Sequence, residues 1–212
     1  MNYSQLTTLI QDYCESTEQS FVANIPTFVQ LAEERIYNTV QLPAIRKNVT
    51  GSTSNGNRYL TLPSDWLSTF SMAVIDPTTQ DYEYLLNKDV NYIRAAYPPP
   101  TSTGKPAYYA IFDDTTMLLG PTPDAAYTIE LHYYYYPTSI VNSGTSWLGN
   151  NFETVLLYGS LREAYTYLKG SEDMMNYYEQ KYQESLGQLK RLGDGLDRQD
   201  AYRSGQARVP VT

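Results

Sequence analysis

The sequence predicts an α+β fold: a helical bundle built from both chain ends, an inserted antiparallel β-rich domain with sandwich-like character, and an extended C-terminal tail. Three observations lead there. Apolar residues recur at spacings of three and four near both ends of the chain, the mark of helices with one buried face. Between them the period drops to two and the segments are punctuated by proline, glycine and Asx residues. Beyond Gly193 apolar residues lose all periodicity. The expected divisions are residues 1–42 and 151–193 for the helical lobe, 43–150 for the β-rich domain, and 194–212 for a docking tail.

In chain order, Leu6, Leu9, Ile10 and Tyr13 trace a first helix with Ser4 as its expected N-cap, ending between Ser16 and Ser20. Asn24 or Ile25 leads into Pro26, taken as a helix start, and Phe28, Leu31, Ala32, Arg35, Ile36 and Thr39 carry that helix to the stop at Leu42-Pro43. Residues 44–50 and 58–62 read as a β-hairpin around the loop Gly51 to Asn57, whose Asn55-Gly56 step favours positive φ. Pro63-Ser64-Asp65 is expected to cap a short helical turn carrying Trp66. Residues 70–76 and 82–86 read as strands, and 89–97 as a helix capped by Asp89. Pro98 to Gly104 is a stiff connector.

The run from Gly104 to Tyr136 reads as a β-meander rich in tyrosine. Its strands are 106–112, 117–120 and 127–136, with a polar turn at Asp113 to Thr116 and a stop at Pro121-Thr122-Pro123, where two prolines cannot donate to a ladder. Helical period then returns. Phe152, Leu156 and Gly159 share a stripe, Gly170 is the expected C′ stop, and Met175, Tyr178, Tyr182, Leu186, Leu189 and Leu192 form the seam of a second helix antiparallel to the first.

Composition narrows function. The chain has 22 tyrosines against five phenylalanines and two tryptophans. Tyrosine has an apolar body and a polar tip, so such an excess suits surfaces that are wet at one edge or covered by a partner. The formal charge of −8 is uneven: residues 1–189 carry 20 acidic and 10 basic side chains, and residues 190–212 carry three acidic and five basic. An acidic body does not wrap duplex DNA, which needs clustered cations. Arg46, Lys47 and Arg58 are the one local basic excess in the body. No apolar run reaches the ~20 residues that span a bilayer, the N-terminus lacks the features of a secretory signal, and the single Cys14 fits synthesis in a reducing cytoplasm.

No catalytic, metal or cofactor site is expected. His132 is the only histidine and sits within the tyrosine strand, which makes it a structural residue. Metal binding by Cys14 and His132 would need two more ligands of their kind, and none exist, which leaves only a carboxylate site open. Asp113-Asp114 is a solvated turn rather than a carboxylate pair. Ser102-Thr103-Gly104-Lys105 resembles the end of a phosphate loop, but Pro106 stands where the magnesium-binding hydroxyl is needed. Tyr133 to Tyr136 has no Lys or Arg beside it to hold phosphates, so nucleic-acid stacking is disfavoured.

The order Ala32-Glu33-Glu34-Arg35-Ile36, Leu62-Pro63-Ser64-Asp65-Trp66-Leu67, Gly104 to Pro123, Tyr133 to Pro137, and Leu156-Leu157-Tyr158-Gly159 to Leu168 resembles the bacteriophage head-to-tail adaptors, also called connectors or head-completion proteins. The resemblance implies a structural virion protein and no enzyme. It implies a dodecameric ring at the neck beneath the portal protein, joined to tail or nozzle proteins, with genomic DNA passing through its channel without sequence-specific binding. Synthesis in the host cytoplasm and the absence of cofactor and membrane go with it. Under this reading the basic tail, with Arg191, Arg198, Tyr202, Arg203 and Arg208, docks on the portal. Trp66 and Trp147, each at a change of period, and Tyr133, Tyr135, Tyr178 and Tyr182 provide lobe or inter-subunit packing. The competing reading is a ligand- or carbohydrate-binding phage accessory module that uses surface tyrosines, which glycan-array binding would distinguish.

Overall fold

The computed structural model describes residues 1–76 and 79–198. The helices are α1 (Tyr3–Cys14), α2 (Gln19–Thr39), α3 (Val90–Ala96), α4 (Ile140–Ser143), α5 (Trp147–Asn151), α6 (Glu153–Tyr167) and α7 (Glu172–Arg198). The strands are β1 (Arg46–Ser52), β2 (Tyr59–Thr61), β3 (Ser68–Ile75), β4 (Tyr82–Tyr84), β5 (Leu86–Asn87), β6 (Tyr108–Ile111), β7 (Thr116–Gly120) and β8 (Thr128–Tyr134). Two units result: a helical one from the residues before Arg46 and after Tyr135, and a β-rich one from Arg46–Tyr135. The inserted unit is narrower than 43–150, because residues 136–150 fold as α4 and α5 and group with the helices.

In the helical unit, α6 packs against α1, α2, α5 and α7. The cap of α1 is Asn2, not Ser4: its side chain accepts from Gln5 N–H while the Gln5 side chain accepts from Asn2 N–H, closing a capping box two residues earlier. Helix α2 begins at Gln19, so Pro26 lies inside it and does not start it. Proline removes one rung of the ladder there. The helix continues because Phe21 and Ile25 before the proline, and Val29, Ala32 and Ile36 after it, all lie on one buried face. Phe21, Phe28 and Tyr167 meet as a ring cluster, with centroids 5.3–6.3 Å apart.

The turn between α6 and α7 also departs from expectation. The left-handed residue is Lys169 (φ 53°), and Gly170 follows it, donating N–H to Tyr165 O at 3.0 Å. Gly170 is needed for space: a Cβ there would stand 2.6 Å from Tyr165 Cδ1. The predicted seam of α7 is buried at Tyr178, Tyr182, Leu186 and Leu189, whereas Leu192 is exposed. Helix α7 runs through Gly193 to Arg198, beyond the expected tail boundary at residue 194.

The β-rich unit is a sandwich of two four-stranded sheets, ordered β1-β8-β3-β4 and β2-β7-β6-β5. Their facing side chains form one core that includes Met72, Val74, Ile129, Leu131 and Tyr133 from the first sheet and Met117, Leu119 and Tyr109 from the second. Three expected pairings fail. Strands β1 and β2 are not a hairpin, since β1 pairs with β8 and β2 with β7. The meander stops after the β6–β7 hairpin, because Pro121 to Pro123 carries the chain to the other sheet. Residues 82–86 are not one strand: the chain changes sheets at the buried Leu85, whose N–H donates to Met72 O, and Leu86 N–H then donates to Ala107 O.

Helix α3, capped by Asp89 as predicted, covers the outer face of the second sheet through Ile93 against Ala110 and Leu118. That explains why β7 is buried on both faces. It also makes β5–β6 a parallel pair in a sheet expected to be antiparallel, since a helical crossover returns the chain in the same direction. Trp66 sits on a turn closed by its N–H to Pro63 O (3.1 Å), not on a helical turn. The Asn55-Gly56 step has the expected positive φ (76° at Gly56).

Candidate assembly surfaces

Alternation along β8 decides which side chains the β-rich unit displays. Ile129, Leu131 and Tyr133 point into the core, and Glu130, His132 and Tyr134 point out. Tyr134 stands opposite Arg46 of β1, and His132 opposite Asn48. On the other side, a register shift between Thr69 and Ser71 places an extra residue, Phe70, on this outer face. The Phe70 ring meets His132 edge-on at 4.9 Å and Tyr134 at 5.9 Å, and the Arg46 guanidinium lies 4.4 Å from the Phe70 centroid and 5.6 Å from that of Tyr134.

Strand β4 extends this face with Tyr82, whose hydroxyl donates to Glu130 Oε2 at 3.3 Å, and Tyr84. Phe70 is 48% exposed and Tyr84 67%. The result is an aromatic, polar-tipped surface displayed by a rigid sheet, of the composition that protein interfaces favour.

The expected packing residues separate into different roles. Tyr133 is fully buried, and its hydroxyl donates to Asp65 Oδ1 at 2.7 Å. Burial, then the Asp65 carboxylate, push its pKa up. Asp65 Oδ2 accepts from Lys47 at 2.7 Å, and Lys47 followed by Tyr133 holds Asp65 below the ordinary carboxylate range. Trp66 and Tyr135 are half-buried against the same core; Trp66 Nε1 donates to Thr69 Oγ1, and the Lys47 ammonium lies 5.3 Å from the Tyr135 ring. Tyr133 to Tyr136 is therefore no stacking platform, for its members alternate between core and surface. Nor do Arg46, Lys47 and Arg58 form a basic patch: Lys47 is paired, Arg46 is stacked, and Arg58 is buried with bonds to Thr122 Oγ1 and Tyr97 O.

In the helical unit, Trp147 is half-buried and stacks on Phe152 at 5.8 Å. Tyr178 and Tyr182 lie inside the α6–α7 contact, Tyr178 with its centroid 4.8 Å from that of Tyr165. These two are buried within their own chain. Burial raises both phenols, that of Tyr182 to about 12. Ion pairs Arg35–Glu163 (2.8 Å) and Arg162–Glu179 tie α6 to α2 and α7.

Of the tail residues, Arg191 is on α7, exposed, with Nε donating to Gly187 O at 3.4 Å. Arg198 is the last residue of that helix, and its side chain, with Tyr202, Arg203 and Arg208, lies outside the described residues. Sequence reasoning missed Phe70, Arg46 and Tyr84 as display residues. The face of Tyr84 follows from period two, but Phe70 is placed by a bulge that no residue pattern announces.

Among the described residues no group of three or more His, Cys, Asp or Glu side chains is placed to hold a metal ion, and no helix is long and apolar enough to cross a membrane. A comparison with curated proteins finds no match. The family model described as SU10 adaptor protein matches residues 1–210, nearly the whole chain. The chain belongs to this family of phage head-to-tail adaptors.

Proposed function

We propose that copies of this chain form a ring beneath the portal vertex, joining the capsid to tail or nozzle proteins and surrounding the channel through which the genome passes. In this reading the ring sits at the virion neck and is dodecameric, and the protein has no enzymatic task. The observation that carries the reading is the display of Phe70, His132, Tyr134 and Tyr84 on the outer face of a rigid sheet in a chain of the adaptor family. An exposed aromatic face suits subunit contact. The excess of acidic over basic side chains through residue 189 supports a channel that DNA slides through without adhering.

The basic C-terminal segment is the portal anchor in this proposal. Arginine pairs bidentately with carboxylates, and the five basic against three acidic side chains of residues 190–212 suit an acidic surface on the portal. The test is co-purification of the cognate portal with the full chain and with a truncation at residue 198. The full chain binds and the truncated chain retains its circular dichroism and melting transition but not the portal. Undiminished binding by the truncated chain overturns the anchor, and electron microscopy of the particle neck showing no ring overturns the larger reading.

A further inference from the structure

Beside α2, where the chain enters α4, lies a pocket of 350 Å³ lined by Gln30, Glu33, Glu34, Tyr37, Tyr136 and Ser139. Glu33 is 3% exposed. Its Oε1 accepts from Ile140 N–H at 3.0 Å, capping α4 from across the unit, but its Oε2 is buried with no hydrogen-bond partner. Ser139 stands beside the carboxyl and favours its ionised form, and its hydroxyl oxygen accepts from Val141 N–H at 3.2 Å. Burial outweighs both neighbours and pushes the Glu33 pKa above the ordinary carboxylate value.

A cap alone does not call for this residue. Asn, Ser or Gln supplies one acceptor to one N–H without burying a charge. The second oxygen is left without a hydrogen bond, and a half-satisfied buried carboxylate lowers its cost either by taking a proton or by meeting a cation. We propose that the pocket is a binding site for a guanidinium group, carried by an arginine side chain of another protein chain, with Glu33 Oε2 as its counter-ion.

The lining selects guanidinium over a compact cation. The rings of Tyr37 and Tyr136 wall the pocket, and guanidinium stacks on aromatic faces and is weakly hydrated, so it enters at less cost than ammonium. The Tyr136 ring is held by its hydroxyl donating to Asn38 Oδ1 at 2.6 Å. Gln30 and Ser139 add acceptors to the lining, and the exposed Glu34 adds negative charge. Guanidinium binding by the isolated chain does not depend on the ring reading, whereas the source of the arginine rests on it.

The test is titration of the full chain with Nα-acetyl-arginine amide, followed by amide chemical shifts. The wild type binds saturably, with Kd on the order of 1 mM, through the Ile140 and Ser139 amides, and Glu33→Gln weakens binding by about tenfold while still capping Ile140. Nα-acetyl-lysine amide binds more weakly. Should Glu33→Gln fail to fold, Tyr136→Ala, at the exposed wall, gives the same readout through loss of stacking. Absence of saturable shifts in the wild type, or equal binding by Glu33→Gln, overturns the proposal. Sedimentation and portal co-purification then locate the arginine: loss of self-association in Glu33→Gln assigns it to a second copy, and loss of portal binding assigns it to the portal. If neither changes, the proposal is overturned.

Discussion

The Tyr133 hydroxyl donates from inside the sandwich to Asp65 Oδ1 at 2.7 Å, while Lys47 closes on the other oxygen at 2.7 Å. One carboxylate thus joins the start of β1, the turn before β3 and the end of β8. Tyr133→Phe keeps the ring and removes the bond. Hydrogen bonds to charged groups contribute about 1.5–3 kcal/mol, and because the Asp65 side chain is 36% exposed the loss falls at the low end. Urea denaturation measures it. Since the folded pKa of Asp65 is lowered, its contribution is fully present above the ordinary aspartate value of ~3.9 and disappears as pH falls through the lower folded value. Asp65→Asn removes that part of the acid dependence.

Gly187 and Gly193 lie on the same helix, and replacement by alanine has opposite effects. A Cβ at Gly187 meets nothing within 4 Å, so Gly187→Ala stabilises by up to about 1 kcal/mol through helix propensity. A Cβ at Gly193 would stand 2.7 Å from the Gln41 carbonyl oxygen, which cannot retreat without moving the end of α2, so Gly193→Ala destabilises by about 1–3 kcal/mol. Thermal melting of the two variants reads the signs directly. A stabilised Gly193→Ala would show that α7 does not lie against Gln41.

Alkaline pH tests the burial of Tyr178 and Tyr182. Both phenols titrate above their unfolded value, so the stability they contribute is complete below ~10 and is lost as pH rises toward their folded values. Wild-type melting temperature falls above that pH. The double variant Tyr178→Phe, Tyr182→Phe flattens the fall, and an unchanged alkaline slope refutes the assignment.

Phe70→Ser separates display from stability. The ring is half exposed, and its strongest local partner is the Arg46 guanidinium, a contact of about 0.5–1 kcal/mol. The variant melts within a few degrees of the wild type but fails to assemble into particles with attached tails. Normal assembly in a folded Phe70→Ser chain, scored by electron microscopy, removes the aromatic face of β8 from the assembly surface.

Much of the architecture follows from residue order alone. The seam at Tyr178, Tyr182, Leu186 and Leu189 repeats with the helical period and packs as that period demands. Asp89 caps α3 and Asn55-Gly56 turns because those side chains act on backbone within three residues of themselves. The interior and exterior faces of β8 follow from period two, and the family was legible in the succession of these local features.

What tertiary structure decided was every choice between distant partners. The pairing of β1 with β8 and of β2 with β7, the change of sheet at Leu85, and the passage of α2 through Pro26 depend on which apolar faces meet, and two runs of equal local character compete equally for a partner until packing selects one. The two features on which the proposals rest were hidden for the same reason. Phe70 reaches the aromatic face through a bulge defined against a partner strand, and Glu33 became a buried, half-satisfied carboxylate only when α4, more than a hundred residues later, came to rest on it. A glutamate on a helix is a surface residue by default, and its burial is a property of what folds over it.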